Sequence, residues 1–367
     1  VSTRIVIAGG GTAGHVVPGL AVAEELVAGG TPRDAIVFVG AQRGIEARIV
    51  PEAGFAVRLL PGRGIQRRIT WDNLGAIWGL VRAFGQMIIW VGRTRPSVVL
   101  VLGGYASVAA GLAAVIWRVP IVVAEQNARA GSANRLLGRF AKACAVPVAG
   151  VDLPRAVVTG NPIRAEVARV ARRRDLPAAR RRLGAGEGRR VIAVFAGSLG
   201  ARSINRAVAG LVPRWADRAD VYLHHVVGSR DWADRPEEAE LGAGGLQYRA
   251  VEYEDDMPTV LEAADVAVCR SGGTTVAELA AVGVPAVLVP LPIAPRDHQR
   301  ANAAALVDAG GAVLVDDADL DANRLAAELE ALLADPARLA AMAEAARTVG
   351  RPDAAASVAR LVLEHAR

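Results

Sequence analysis

A chain of 367 residues, 52% of them apolar, is long enough to fill two hydrophobic cores, and its abundance of Ala, Val, Leu and Gly beside few aromatics suits parallel sheets whose strands are apolar on both faces. A formal charge of +6 favours anionic partners such as phosphates or acidic lipid surfaces; the arginine-rich runs at 172–174 and 180–182 lack interleaved aromatics and any nucleic-acid motif, so no nucleic acid is expected as a partner. Only Cys144 and Cys269 are present, both in apolar settings, which excludes a disulfide framework and points to free thiols.

Residues 4–8 predict a strand, and Gly9-Gly10-Gly11-Thr12-Ala13-Gly14-His15 follows it. Gly9, Gly11 and Gly14 spell the dinucleotide fingerprint G-x-G-x-x-G. That fingerprint needs an acidic residue at the end of the second strand, and the strand predicted over 35–39 ends instead in Gly40-Ala41-Gln42-Arg43, which argues against a nicotinamide cofactor. His15 sits just past the loop, where it is either a general base near neutral pH or a locally packed histidine.

Residues 61–95 change character. Trp71, Trp78 and Trp90 lie beside an apolar series at helical spacing that includes Leu74, Ile77, Val81, Phe84, Ile88 and Ile89, surrounded by Arg63, Arg67, Arg68, Arg82, Arg93 and Arg95. Two readings fit: a helix lying in a membrane interface, or an amphipathic core helix. Residues 96–117 carry no charge, but the β-branched run 98–102, the Gly103-Gly104 break and Ser107 as a cap predict a strand and a helix rather than a membrane span. A strand over 121–124 then places Glu125-Gln126-Asn127 at its C-terminal end, where active-site residues collect. The turn Gly160-Asn161-Pro162-Ile163-Arg164 closes the first half, with a domain boundary between 160 and 161.

The second half restarts the plan. A strand over 191–196 runs into the phosphate-type turn Gly197-Ser198-Leu199-Gly200-Ala201-Arg202. After the strand 221–226 comes the loop 251–257, with Glu254 and Met257. The strand 266–269 breaks at Arg270-Ser271-Gly272-Gly273, and a helix opens at Thr274-Thr275 with Glu278 one turn in. Free N–H groups at such a helix start hold anions. Glu278 suits a pair of vicinal ribose hydroxyls, or is only a favourable charge in a first turn. Beyond the next strand, Gln299 and Asn302 suit sugar hydroxyls. Asp317-Ala318-Asp319 is a literal D-x-D, read as capping the C-terminal helix rather than as a metal site. Two α/β domains with glycine loops at their strand ends would face each other across a cleft.

The glycine loops at 9–15, 103–107, 197–202 and 270–278, with Glu125-Gln126-Asn127, Gly160-Asn161-Pro162-Ile163-Arg164 and His298-Gln299-Arg300-Ala301-Asn302-Ala303, come in an order and spacing that closely resemble the MurG family of bacterial transferases, which complete lipid II for peptidoglycan. The resemblance covers essentially the whole chain. It implies an α/β GT-B fold of two Rossmann-like doubly wound domains: an acceptor- and membrane-binding domain over 1–160, a UDP-GlcNAc-binding domain over 161–351, and a last helix, about 352–367, packing back onto the first. It implies inverting transfer of GlcNAc from UDP-GlcNAc to the C4 hydroxyl of the MurNAc of undecaprenyl-diphospho-MurNAc-pentapeptide, lipid I. Glu278 would then bind the ribose, and Arg164, Ser198, Gly272, Gly273 and Thr274 the diphosphate and sugar. Main chain around Glu254, with Met257, would meet uracil. Asn127, His298, Gln299 and Asn302 would read GlcNAc, with Thr12 and Gly14 also near the donor. Gly10, Gly11, Thr12, Gly103, Gly104 and Tyr105 would take the acceptor diphosphate. His15, with Glu125 second, would be the base. Arg67, Arg68, Trp71, Leu74, Ile77, Trp78 and Arg82 would rest on the cytoplasmic face of the cell membrane, making the protein peripheral there.

The partners implied are lipid I, an anionic membrane surface, and other cell-wall synthesis or division proteins; no cofactor is implied beyond the donor substrate, and no metal. Three positions depart from the family's usual residues: Ala124 where histidine is frequent, Leu199 where glutamine is frequent, and Glu254 where an apolar residue is frequent. Two alternatives stand beside this reading. One is a GT-B transferase with another lipid or small-molecule acceptor; the other is a nucleotide-sugar-binding protein without catalysis.

Overall fold

The computed structural model describes residues 4–61, 72–236 and 244–367, with backbone alone at 72–78 and 80. The chain divides into two compact units, Val1–Arg164 with Asp353–Arg367, and Ala165–Pro352. In the first unit the order is β1 (Ile5–Gly9), α1 (Ala13–Ala28), β2 (Ile36–Ala41), α2 (Glu46–Glu52), β3 (Ala56–Leu60), α3 (Asp72–Thr94), β4 (Val98–Gly103), α4 (Tyr105–Ile116), β5 (Ile121–Ala124), α5 (Ser132–Gly138), β6 (Ala143–Val146) and β7 (Ala156–Val158). The strands form one parallel sheet, ordered β3-β2-β1-β4-β5-β6-β7.

Strand periodicity decides what each face buries. Val6 and Ala8 of β1, with Val99 and Val101 of β4, pack on one face against Ala83, Met87 and Val91 of α3 and the small side chains Ala106, Ala109, Ala110 and Ala113 of α4. Ile5, Ile7, Leu100 and Leu102 point the other way, onto Val22 and Leu26 of α1. Both faces are covered, which is why these strands read as unbroken apolar runs.

The second unit runs α6 (Ala165–Arg172), α7 (Leu176–Leu183), β8 (Arg190–Phe195), α8 (Arg202–Leu211), β9 (Val221–Val226), β10 (Gln247–Val251), α9 (Met257–Ala263), β11 (Val266–Cys269), α10 (Gly273–Val282), β12 (Ala286–Leu288), α11 (His298–Asp308), β13 (Ala312–Leu314), α12 (Ala322–Leu333) and α13 (Pro336–Val349). Its parallel sheet is ordered β10-β9-β8-β11-β12-β13. Ile192, Val194, Val266, Val268 and Val287 of the sheet pack with Ile204, Val208 and Leu211 of α8 and Leu325, Leu329 and Leu332 of α12. A final helix, α14 (Ala354–His365), belongs to the first unit, where Val358, Leu361 and Val362 join the core with β1 and α1.

Two local readings need correction. Ser107 does not cap α4: Gly104 holds that position, and the buried Ser107 hydroxyl reaches the carbonyls of Ala8 at 2.6 Å and Gly103 at 2.8 Å, tying the end of β4 to β1. Asp317 and Asp319 do not cap the following helix: Asp321 does, accepting from the Arg324 N–H at 2.7 Å. In α3, Ala83, Met87 and Val91 are core while Val81, Arg82, Ile89 and Arg93 are exposed, so the helix is amphipathic. Arg67, Arg68 and Trp71 lie outside the described residues, as do the side chains of Leu74, Ile77 and Trp78. Among the described residues no helix is long and apolar enough to cross a membrane.

Candidate functional site

In each sheet the chain leaves an inner strand, fills one side, and returns to fill the other. The crevice this creates lies at the C-terminal ends of β1 and β4 in the first unit and of β8 and β11 in the second, the places where open α/β sheets take ligands. The glycine loops singled out in the sequence fall at these ends.

In the first unit the loop after β1 leads into α1, whose N-cap is Thr12. His15 lies in the first turn, half-buried, with Nδ1 at 3.2 Å from the Gly10 carbonyl and 3.3 Å from Thr12 Oγ1. A carbonyl only accepts, so Nδ1 carries the proton and Nε2 is left as acceptor. A Cβ built on Gly103 would stand 3.1 Å from Nε2, which places that nitrogen at the end of β4 beside a residue without a side chain. Burial lowers the His15 pKa, while the bond to Gly10 and the charges of Glu125 and Glu46 oppose the fall. Gly10, Gly11, Thr12 and Gly14 line the same loop, and Gly103 and Gly104 bring β4 to it with φ of +107° and +81°.

Two members of the expected acceptor set are otherwise engaged. Gly11 N–H donates to the Glu46 carboxylate, at 3.2 Å to Oε1 and 3.1 Å to Oε2. The Tyr105 hydroxyl is turned to the carbonyls of Pro61 and, at 3.0 Å, Gly79, so its main chain at the start of α4 is what faces the crevice end. Glu125 is also committed. Its Oε1 accepts from the N–H groups of Gln126 and Asn127 at 3.0 Å and from Asn127 Nδ2 at 3.1 Å; its Oε2 accepts from the Gly131 N–H at 2.9 Å and Asn134 Nδ2 at 2.8 Å. Five donors hold this buried carboxylate and, through it, organise the loop after β5. Glu46 and Asn134 were not singled out from sequence. Both sit at helix starts, where an acidic or amide residue reads as an ordinary end-of-helix group.

In the second unit a cavity of about 460 Å³ opens at the ends of β8, β11 and β12. Gly197, Gly200, Arg202 and Ser203 line it from the turn after β8; Arg270, Gly272 and Thr275 from the turn after β11; Leu291, Gln299 and Asp317 from the far side. Gly200 and Gly228 bring two loop backbones together: a Cβ on Gly200 would lie 1.9 Å from the Val227 carbonyl oxygen, and both have positive φ, +71° and +85°. Ser198 and Leu199 are exposed on this turn. Arg270 fixes the cavity floor by donating to the carbonyls of Val289 at 3.1 Å and Pro290 at 3.2 Å and to Ser203 Oγ at 3.0 Å, and it pairs with Asp317. The D-x-D segment is therefore a counter-charge for this arginine. Among the described residues no group of three or more His, Cys, Asp or Glu is placed to hold a metal ion.

α10 points its N-terminus at this cavity, with Gly272 at the N-cap and no side-chain cap. Ser271 Oγ and Thr274 Oγ1 are buried there without a protein partner. Gly273 and Thr274 supply the first helical N–H groups, and Glu278 lies buried in the next turn. Asn302 ties α11 to this turn through Nδ2 and the Ser271 carbonyl at 3.1 Å, while Gln299 Oε1 accepts from the Leu291 N–H at 2.9 Å. Arg296 and Asp297, with φ of +57° and +52°, hold consecutive left-handed conformations just before α11, and His298 Nδ1 closes on the Pro295 carbonyl at 2.9 Å. Such strain in non-glycine residues gathers at ligand sites. Glu254 turns its side chain into the sheet, taking His224 Nε2 at 3.0 Å and the Asp256 N–H at 2.8 Å, and the His224 bond holds its carboxyl below the usual range against the effect of burial. Met257 begins α9 behind the Asp256 cap. Asn127 and Arg164 belong to the first unit, each half-buried.

Comparison with known proteins gives these sites a family. Residues 5–146 match the family model described as Glycosyltransferase family 28 N-terminal domain, and residues 191–358 its C-terminal domain. A UDP-N-acetylglucosamine–N-acetylmuramyl-(pentapeptide) pyrophosphoryl-undecaprenol N-acetylglucosamine transferase of Alkalilimnicola ehrlichii is 43% identical over 99% of both chains. Its counterpart in Mycobacterium avium is 42% identical over 98% of this chain and 88% of its own. The crystal structure of Acinetobacter baumannii MurG superposes with a TM-score of 0.75 at 26% identity, covering 99% of each chain. The chain belongs to the MurG family. Its fold is the GT-B fold of that family, two Rossmann-like domains, as the sequence resemblance implied. The UDP-GlcNAc 2-epimerase of Neisseria meningitidis shares this fold at a TM-score of 0.68 and 15% identity, so the architecture alone does not separate MurG members from other proteins that bind the same nucleotide sugar.

Proposed function

We propose that this chain is the transferase that moves GlcNAc from UDP-GlcNAc to the C4 hydroxyl of the MurNAc of lipid I, giving lipid II with inversion at the anomeric carbon. The observation that carries the reading is the near full-length match, at 43% identity, to a curated transferase of that name. The chemistry of the loops supports it. UDP-GlcNAc is assigned to the second unit, its diphosphate and sugar held by the N-terminus of α10 through Gly272, Gly273 and Thr274, together with Ser198 and Arg164. Ser271 Oγ and Thr274 Oγ1, buried without protein partners, are the groups such an anion would satisfy. Glu278 is assigned to the ribose hydroxyls, main chain near Glu254 with Met257 to uracil, and Asn127, His298, Gln299 and Asn302 to the GlcNAc.

Lipid I is assigned to the first unit, its diphosphate at Gly10, Thr12, Gly14, Gly103, Gly104 and the main chain of Tyr105. His15 Nε2 takes the proton from the C4 hydroxyl as that oxygen attacks the anomeric carbon and the bond to UDP breaks. The negative charge on the departing UDP is met by preoriented N–H groups and Arg164, which need not reorganise. The exposed face of α3, with Val81, Arg82, Ile89 and Arg93, and a chain charge of +6 support docking on an anionic cytoplasmic membrane surface as a peripheral protein. Other cell-wall synthesis or division proteins are partners the family reading adds.

The test is transfer of labelled GlcNAc to a soluble short-chain lipid I analogue. A general base contributes roughly 10²–10⁴-fold, so His15→Ala is expected to lose that much kcat while binding UDP-GlcNAc as the wild type does. Glu278→Ala is expected to raise KM for UDP-GlcNAc. Tight UDP-GlcNAc binding with no product from the wild type on any lipid I analogue would overturn the acceptor assignment.

A further inference from the structure

Glu46 is 1% exposed, yet it lies directly beneath the loop after β1. Three glycines make room for its carboxylate: Gly10 in the loop after β1, Gly40 near the end of β2 and Gly44 in the turn that follows β2. A Cβ on Gly10 would fall 2.0 Å from Oε1, one on Gly44 2.1 Å from Oε2, and one on Gly40 2.3 Å from Cγ. Burying an ionised carboxylate is costly unless its lone pairs are satisfied. Glu125, whose charge also acts on this histidine, is satisfied by five donors. Among the described residues Glu46 accepts from two backbone groups, the Ala41 N–H at 2.6 Å and the Gly11 N–H at 3.1–3.2 Å. Its charge is therefore only partly matched and is directed at the Gly11 amide.

That amide belongs to the same peptide group as the Gly10 carbonyl, and the Gly10 carbonyl accepts from His15 Nδ1 at 3.2 Å. The three groups run in series: carboxylate, peptide N–H, peptide C=O, imidazole N–H. Chains of hydrogen bonds polarise one another, so a carboxylate on the N–H end makes the C=O end a stronger acceptor.

We propose that Glu46 is a positioning residue for His15, acting through the Gly10–Gly11 peptide to hold the imidazole with its proton on Nδ1 and Nε2 directed toward the reacting hydroxyl. The inference rests on the reading of His15 as the base. The arrangement does at one remove what a carboxylate bonded directly to a catalytic histidine does: it selects the tautomer and favours the imidazolium that forms when Nε2 takes a proton. No proton passes through the peptide. Nε2 gains the proton of the acceptor hydroxyl and Nδ1 keeps its own. Among the described residues the charged groups acting on His15 are Glu46 from α2 and Glu125 from the loop after β5, and both act in the same sense.

Glu46→Gln keeps an oxygen for Ala41 and Gly11 but removes the charge. Without the carboxylate His15 becomes a weaker base. The acid limb of the kcat–pH profile should move down by about one unit, with plateau kcat lowered by about a factor of ten and KM for UDP-GlcNAc unchanged. In a His15→Ala background the same substitution should cost nothing further, whereas a merely structural Glu46 would lower the rate by the same factor in both backgrounds. An unmoved pH profile, or equal losses in the two backgrounds, overturns the proposal. Titration of the His15 ring by ¹⁵N NMR reads the link independently of turnover. If His15→Ala proves fully active, the base assignment fails, but a lowered ring pKa in Glu46→Gln still supports the relay and an unchanged one refutes it. Glu46→Asp, which keeps the charge but withdraws it from Gly11, should fall between wild type and Glu46→Gln on both readouts. It serves if the Gln variant does not fold.

Discussion

The five histidines of the chain are set to different ends by what surrounds them. His15 keeps one nitrogen bound and one directed at the end of β4, whereas His225 is sealed inside β9, with Nδ1 at 3.0 Å from the Tyr248 hydroxyl and Nε2 at 3.0 Å from Asn205 Oδ1. Burial, reinforced by the neighbouring His224, lowers the His225 pKa from 6.5 to about 4. The unfolded chain therefore binds a proton between these values that the folded chain does not. Stability contributed by the neutral ring is complete above about pH 6.5 and is lost as pH falls toward 4, by roughly 3 kcal/mol. His225→Gln, which keeps donor and acceptor without a titrating ring, should flatten the dependence of denaturant midpoint on pH across that window. An unchanged slope would mean that other groups set it. His15 could be singled out in the sequence because a glycine loop announces it, while His224 and His225 lie in an apolar strand run and their partners Glu254, Asn205 and Tyr248 are 20 or more residues away. Glu46 was hidden for a related reason: its meaning lies in Gly10, more than thirty residues upstream, closing over it together with Gly40 and Gly44.

Elements were legible where punctuation is local. Glycine breaks mark the strand ends beside Gly9, Gly103 and Gly272, because the turn from strand to helix needs backbone freedom that the sequence displays directly. Side-chain bonds to distant backbone were not. Ser107 looked like a cap and is a clamp between β1 and β4, and Asp317 looked like a cap and is the counter-charge of Arg270. The residue that does cap α12, Asp321, is one of four aspartates used in the same way in the second unit, with Asp175, Asp256 and Asp335. Each satisfies an N–H that the first turn cannot. Asp321→Ala should cost about 1 kcal/mol in thermal or denaturant unfolding and leave transfer activity unchanged. A loss of activity would show that the start of α12 is coupled to the cavity through the nearby Asp317.

On the scale of the whole chain, the doubly wound α/β class followed from apolar runs alternating with helical patterns, and the GT-B fold from the family resemblance that the glycine loops carry. What composition does not display is how much of the first unit's core comes from the end of the chain. Val358, Leu361 and Val362 of α14 are buried against β1, β4 and α1, and at about 1.5–3 kcal/mol for each large apolar side chain their loss is comparable to the net stability of a domain. A chain ending at residue 352 should therefore show fast hydrogen exchange in β4 and β5 while β8 and β11 stay protected. Protection retained in both units would mean that α14 contributes little.

The same return of the chain has a consequence during synthesis. Domains ordinarily finish folding in the order in which they leave the ribosome. Here all of the second unit has been made by Pro352, when the first unit still lacks the helix that completes its core. The unit that begins first is finished last, and its apolar surface over β1 and α1 stays uncovered for as long as translation of the intervening unit takes. Slow codons across Ala165–Pro352 would lengthen that exposure and the demand for a chaperone, a cost that no property of the finished molecule records.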